Sequence, residues 1–230
     1  MNKSLKHLAI IPDGNRRWAR KHKLQAWLGH KQGTVKLNDI GEAAIKHGAT
    51  YITFWASSVD NLTKRSKTEV HYLLQYFYEL LADPDTWAHI KKYNVQVRVL
   101  GRWKELVNHA KLDDAISQME EASHKHSKAY LTILLGYDGK EEMLAAVNQV
   151  SGKGPVTEAA LRRSMLTGYL PDVDMVIRTG GEPHWSAGFL MWLSANTQLY
   201  FTDTLWPDFG PRHIAEAFKE YSRRERRLGK

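Results

Sequence analysis

The chain of 230 residues contains no cysteine. A disulfide framework, a thiolate zinc site and a cysteine nucleophile are therefore excluded, and the redox compartment is left open. No run of about 18 apolar residues occurs, so no membrane span is expected. Met1–Lys6 lacks the apolar core of a signal peptide, and Asp13 interrupts the apolar run that follows. The cytoplasm is the expected location. There is no internal repeat and no hinge-like linker. Residues 1–230 are expected to form one α/β domain, long enough to bury a sizeable core.

What is present is positive charge and aromatic surface. Lys and Arg total 33 against 25 Asp and Glu, for a net charge of +8 and a pI near 9.5. Such a balance fits nucleic acid, an anionic membrane surface or a polyanionic small substrate. Eight tryptophans and ten tyrosines add large apolar or stacking surfaces.

The stretch from His7 to Trp18 concentrates the chemistry. Leu8-Ala9-Ile10-Ile11 suits a buried strand, Pro12-Asp13-Gly14-Asn15 a tight turn, and Arg16 to Lys23 a helix. A strand, turn and helix start present backbone N–H groups to an anion, and Arg16 and Arg17 can fork phosphate oxygens. Asp13 is out of place among phosphate binders unless it holds a metal, with Mg²⁺ the natural one, or handles a proton. The plain alternative is a βα turn in which Asp13 caps the helix.

Further along, Lys31 to Lys46 has helical spacing and ends at Gly48. Tyr51 to Ala56 reads as a second strand. The polar Ser57-Ser58-Val59-Asp60-Asn61 after it reads singly as a solvated loop, but it falls on the same rim as Asp13. Lys67 to Leu81 is an amphipathic helix with an aromatic face. Strands are expected at Val95–Leu100, Tyr130–Leu135, Asp174–Ile177 and Leu199–Phe201, and helices at Leu112–Lys128, Lys140–Val150, Thr157–Met165 and Ile214–Arg226. Arg178-Thr179-Gly180-Gly181-Glu182 follows the fifth strand, and its glycines permit close backbone approach to a ligand. Strands alternating with helices predict a central six-stranded, mostly parallel sheet flanked by helices.

HLAIIPDGNRRWA, Gly29-His30, SSVDN, IRTGGE and YFTDTLWPDFG, in this order and at compatible spacing, resemble the cis-prenyltransferase family of undecaprenyl diphosphate synthase. The likeness covers essentially the whole chain. It implies a Mg²⁺-dependent transferase that condenses isopentenyl diphosphate with an allylic prenyl diphosphate. By resemblance Asp13 holds Mg²⁺ and the diphosphates, and Gly14, Asn15, Arg16, Arg17 and His30 cradle the allylic diphosphate. Trp18 and the aromatic helix after Asn61 border the prenyl chain. Arg178 and Ser186 bind isopentenyl diphosphate, with His184 and Trp185 beside them. Asn61 stands where the family's candidate proton-handling amide lies, among the rim residues Ser58, Val59 and Asp60. Arg227 resembles the tail that reaches a partner subunit's site, so a homodimer is implied, with transient membrane-surface contact for a long product.

The chain departs from the family pattern at named positions. His184 replaces an arginine, and Gln198 replaces a glutamate that completes the Mg²⁺ shell. Leu62 replaces an aromatic, Lys64 or Arg65 fills the basic slot, and Ala187 or Gly188 is an extra residue. A non-catalytic partner subunit and a head-to-middle or cyclising enzyme are the alternatives on the same fold. A nucleic-acid binder is disfavoured, because Asp13 repels phosphate without a metal.

Overall fold

The computed structural model describes residues 4–152 and 154–224. Strand β1 (His7–Ile11) leads into α1 (Asn15–Lys21), α2 (Ala26–Thr34) and α3 (Lys36–Lys46). Next come β2 (Tyr51–Ser57), α4 (Val59–Lys64), α5 (Lys67–Ala82), α6 (Pro84–Tyr93), β3 (Val95–Leu100), α7 (Trp103–Leu106) and α8 (Ala110–Ser123). The chain continues through β4 (Ala129–Leu135), α9 (Gly139–Val150), α10 (Glu158–Ser164), β5 (Met175–Arg178) and β6 (Gln198–Phe201). It closes with a 3₁₀ turn (Trp206–Asp208) and α11 (Pro211–Arg223).

The six strands form one sheet in the order β3-β4-β2-β1-β5-β6, and every pairing is parallel. Parallel sheets are covered on both faces. Central β1 is accordingly buried at every residue, whereas the outer β3 alternates buried and more exposed positions. Successive side chains point to opposite faces. Leu8 and Ile10 thus join a core with Ile40, Phe54 and Ile214, while Ala9 and Ile11 join another with Trp55, Val176 and Phe189. The register Ile11↔Arg178↔Phe201 aligns the carboxyl ends of β1, β5 and β6. It sets the Asp13 turn directly beside the loop that follows Arg178.

Four local expectations change. The helix expected over Lys31–Lys46 is two helices, and α2 starts before Gly29. Gly29 sits inside α2. A Cβ there would lie 2.1 Å from the Asn15 carbonyl oxygen, and one at Gly33 would lie 2.2 Å from Asn15 Oδ1. These glycines let α2 press against the first turn of α1. Ser58–Asn61 is not a loop but the capped start of α4, with Ser58 Oγ accepting from Asn61 N–H at 3.0 Å and Asn61 Oδ1 accepting from Ser58 N–H at 3.3 Å. Helix α8 spans Ala110–Ser123 and stops short of Lys128. Helix α11 begins at Pro211, three residues earlier than periodicity indicated, and Arg226 lies outside the described residues.

Candidate active site

The Asp13 turn is held by its backbone and charged by its side chain. Asp13 O accepts from Trp206 N–H at 3.0 Å and from the Thr179 hydroxyl at 2.7 Å. Gly14, at φ +108°, supplies the left-handed residue that starts α1, and no side chain caps this helix. Asp13 is therefore not a helix cap. Its Oδ1 accepts from Gly14 N–H at 2.6 Å and lies 3.3 Å from Arg17 Nη2, while its Oδ2 accepts from Arg178 Nη2 at 2.9 Å. The Gly14 amide expected to face an anion is taken up by this internal bond.

Arg178 is nearly buried, with its side chain 6% exposed. Its Nη1 donates to Ser186 Oγ at 2.6 Å and to the His184 carbonyl at 2.8 Å, and its Nε is buried with no partner. Arg17 Nη1 donates to the Gly180 carbonyl and lies 3.3 Å from Glu182 Oε1. Gly180, at φ +89°, has room for no Cβ: one would lie 2.6 Å from Arg17 Nη2 and 3.0 Å from Asp13 O. The close approach that Gly180 permits is thus to the Asp13 turn itself, and it joins the two rims into one, while Gly181 faces Asp203.

A carboxylate that sequence reading passed over organises the other side. Glu69 Oε1 lies 3.2 Å from His30 Nε2, 3.1 Å from Arg65 Nη1 and 3.7 Å from Arg16 Nε. The His30 hydrogen bond, followed by Arg65 and Arg16, holds the Glu69 carboxyl below its usual range against the opposing effect of burial. Burial pushes His30 down, with the Glu69 bond only partly opposing. Arg65 Nη1 is also 3.2 Å from His30 Nε2. A proton on Nε2 donates to Glu69, whereas a proton on Nδ1 leaves Nε2 to accept from Arg65. The Ser66-to-Glu69 spacing marks only a helix start, with Ser66 Oγ accepting from Glu69 N–H.

These groups border a cavity of about 550 Å³. Its polar mouth carries Asp13, Asn15, His30, Ser58, Asp60, Asn61, Arg65, Arg178, His184, Trp185 and Ser186. Its depth is apolar, walled by Leu37, Phe54, Leu73, Phe77, Ile133 and Leu135. A second, more open recess of about 520 Å³ lies across Asp13 and is lined by Gly14, Arg16, Arg17, Arg20, Glu182 and His184. Asp13 and Arg178 belong to both. Arg20 is a further cation of this recess that sequence reading did not single out.

Several expected site residues lie elsewhere. Trp18 borders neither space: its Nε1 donates to Asp208 Oδ1 at 2.8 Å and its ring sits 4.1 Å from that of His22. Leu62 is buried in the core with Leu73 and Trp103. Val59, in the first turn of α4, lines neither space. Gln198 pairs in register with Met175, at the opposite end of β5 from Arg178. Three strand residues put it about 10 Å below the rim, so it does not join Asp13 as a metal ligand within this chain. Arg227 lies outside the described residues.

Among the described residues no cluster of three or more His, Asp or Glu side chains forms a metal cage. Asp13 offers one hard carboxylate among cations. Mg²⁺ takes one or two carboxylates, substrate phosphate oxygens and water. The donor set therefore suits Mg²⁺ carried in with a diphosphate rather than a preformed protein site.

Fold and rim together define an α/β protein whose site is shaped for an anionic head and an apolar tail. Comparison with known proteins gives the family. The family model Prenyltransf, "Putative undecaprenyl diphosphate synthase", matches residues 11–229. The chain belongs to this family and is a prenyl-transferring enzyme. It is 39% identical over 233 residues to a tritrans,polycis-undecaprenyl-diphosphate synthase (geranylgeranyl-diphosphate specific) of Pyrococcus horikoshii, covering 98% of this chain and 87% of the relative. It is 34% identical over 234 residues to an isoprenyl transferase of Treponema denticola, covering 100% and 99%. The crystal structure of lavandulyl diphosphate synthase from Lavandula x intermedia, in complex with dimethylallyl diphosphate, superposes with a TM-score of 0.92 at 29% identity over 99% of both chains.

Proposed function

We propose that this enzyme condenses isopentenyl diphosphate with an allylic prenyl diphosphate to give a longer cis-prenyl diphosphate. One observation carries the reading: Asp13 and two arginines stand where a cationic rim opens into an apolar slot. The allylic tail lies toward Leu37, Phe54 and Phe77, with its diphosphate near Asn15, Arg16, Arg17 and His30. Isopentenyl diphosphate lies against Arg178 and Ser186, with His184 and Trp185 beside it.

The allylic C–O bond breaks with its electron pair leaving on the diphosphate. The isopentenyl π bond attacks the resulting cation, and a proton leaves the new centre. Arg16, Arg17 and Arg178 bind and orient the two diphosphates and stabilise the leaving charge. Mg²⁺, held by Asp13 and diphosphate oxygens, supplies further neutralisation of that charge when bound. The apolar walls exclude water from the cation. Asn61 Oδ1 is engaged in the α4 cap, so diphosphate or a water at the Asn61 amide receives the proton. Residues 1–230 act as one domain, in a cytoplasmic homodimer in which Arg227 serves the partner's site. Exposed Leu199 and Phe201 on the open edge strand β6 support the pairing. A long product brings the enzyme to a membrane surface, and nucleic acid is not a partner.

The deciding experiment incubates the protein with labelled isopentenyl diphosphate and primers of ten, fifteen and twenty carbons, with and without Mg²⁺. Elongated products are expected with at least one primer, and incorporation with none overturns the reading. The structural likeness to lavandulyl diphosphate synthase favours a second reading, head-to-middle condensation. Dimethylallyl diphosphate supplied alone separates the two, since only the second reading yields a ten-carbon product from it.

A further inference from the structure

The segment between Asp13 and Asp39 has a one-sided charge. Its 25 residues hold seven Lys and Arg and no Asp or Glu. They fold into α1, a turn, α2 and the start of α3. The inner side of α2 is anchored, with Gly29, His30 and Gly33 buried. On its outer side Lys31 and Gln32 are exposed, as are Val35 just after α2 and all of Arg20 to Gln25, from the end of α1 through the turn. Leu24 is 42% exposed and Val35 55% exposed, so apolar side chains project through the basic field rather than beneath it.

We propose that this α1–α2 hairpin docks the protein on an anionic phospholipid surface. Basic side chains interleaved with exposed apolar ones suit a headgroup layer, where the cations meet lipid phosphates and the apolar groups enter the acyl boundary. Asp39 at one end, and Asp208 where it accepts from Trp18 Nε1–H, border the patch with acid. The neighbouring rings argue against nucleic acid. Trp27 stacks on Tyr72 at 5.1 Å, and Tyr72 on Tyr76 at 5.9 Å, so they are spent on one another rather than offered to bases. Docking stands on charge and exposure alone, independent of the assigned reaction.

The full chain is sedimented with vesicles of phosphatidylglycerol and phosphatidylcholine, or of phosphatidylcholine alone, at low and high salt. Binding is expected only with phosphatidylglycerol, and it is lost at high salt. Lys21→Glu with Lys23→Glu lowers partitioning by about fivefold or more per charge. Leu24→Ser with Val35→Ser weakens it without changing its salt slope. Lys125→Glu with Lys128→Glu, beyond the other end of the sheet, leaves it unchanged. Circular dichroism establishes that each variant is folded. Turnover without vesicles stays at the wild-type level in the hairpin variants, so failure of docking is distinguishable from failure of the prenyl-transfer reading. Equal binding to both vesicle types, equal loss in the Lys125/Lys128 variant, or no sedimentation at low salt overturns the proposal. So does salt-sensitive oligonucleotide binding that the hairpin variants lose while vesicles are ignored.

Discussion

Arg178 Nη2 sits 2.9 Å from Asp13 Oδ2, and Arg17 Nη2 sits 3.3 Å from Asp13 Oδ1, so one carboxylate is shared by an arginine of α1 and the arginine that ends β5. A divalent ion must share Asp13 with them, and an arriving diphosphate gives the arginines an alternative partner. Asp13→Ala should abolish Mg²⁺-dependent turnover. The fold should survive, because the turn is held through the Asp13 carbonyl. Removal of the negative charge should also tighten metal-free binding of inorganic pyrophosphate, read by calorimetry. Unchanged or weaker pyrophosphate binding would show that Asp13 does not compete for these arginines.

Gln198 lies at the far end of β6, and its Oε1 is buried without a partner. Gln198→Glu should therefore leave the Mg²⁺ concentration needed for half-maximal rate where it is. It should lower stability by more than about 1 kcal/mol, because it places a charge where the wild-type Oε1 already lacks a partner. A sharpened Mg²⁺ requirement would return Gln198 to the metal argument.

Glu69 contacts His30, Arg65 and Arg16, and its effect on substrate should pass through them. Glu69→Gln keeps the shape and removes the charge. Stability should fall by about 2 kcal/mol, since Arg65 is left partly buried without its counter-ion. KM for the allylic diphosphate should rise more than kcat falls. Asp60→Asn, at an exposed carboxylate of the same mouth, serves as the comparison.

His7 provides a pH-dependent term remote from the site. Its Nδ1 donates to the Pro171 carbonyl at 2.8 Å, and its Nε2 accepts from Thr53 Oγ1 at 2.9 Å. Burial, only partly offset by that carbonyl and by Asp174, lowers its pKa from 6.5 to about 4. The unfolded chain binds the proton first. Stability present above pH 6.5 is thus lost as pH falls toward 4, by roughly 3 kcal/mol at about 1.36 kcal/mol per pKa unit. Urea unfolding across this range should show the loss, and His7→Gln should flatten it.

Phe77 lines the apolar depth one turn beyond Leu73 on α5. Phe77→Leu should lengthen the product by one or more isoprene units, resolved by chromatography. Its cost of about 1 to 2 kcal/mol leaves the protein folded. A slower enzyme with an unaltered product would move the limit on chain length away from Phe77.

Much of this molecule is legible in local chemistry. Apolar runs and helical spacing mark the strands and most helices because burial and periodicity are local properties. Thr157 as the cap of α10 follows the same logic, with its Oγ1 accepting from Ala160 N–H. The Asp13 turn and the Arg178 loop stand out because charged and glycine residues directly follow apolar strands. The role of Gly29 is not local: what it accommodates is the carbonyl of Asn15, fourteen residues away in sequence.

The sequence by itself determined the alternation of strands and helices, the excess of positive charge, and the residue types available to grip a diphosphate. Parallel register alone decided that Arg178 meets Asp13 while Gln198 does not, because strand pairing sets which residues reach the same rim. Packing alone decided that Glu69 is buried among His30, Arg65 and Arg16, and that Trp18 turns toward Asp208. Apart from the i,i+4 pair of Arg65 and Glu69, these contacts join elements far apart in the chain, and no local pattern of residues encodes them.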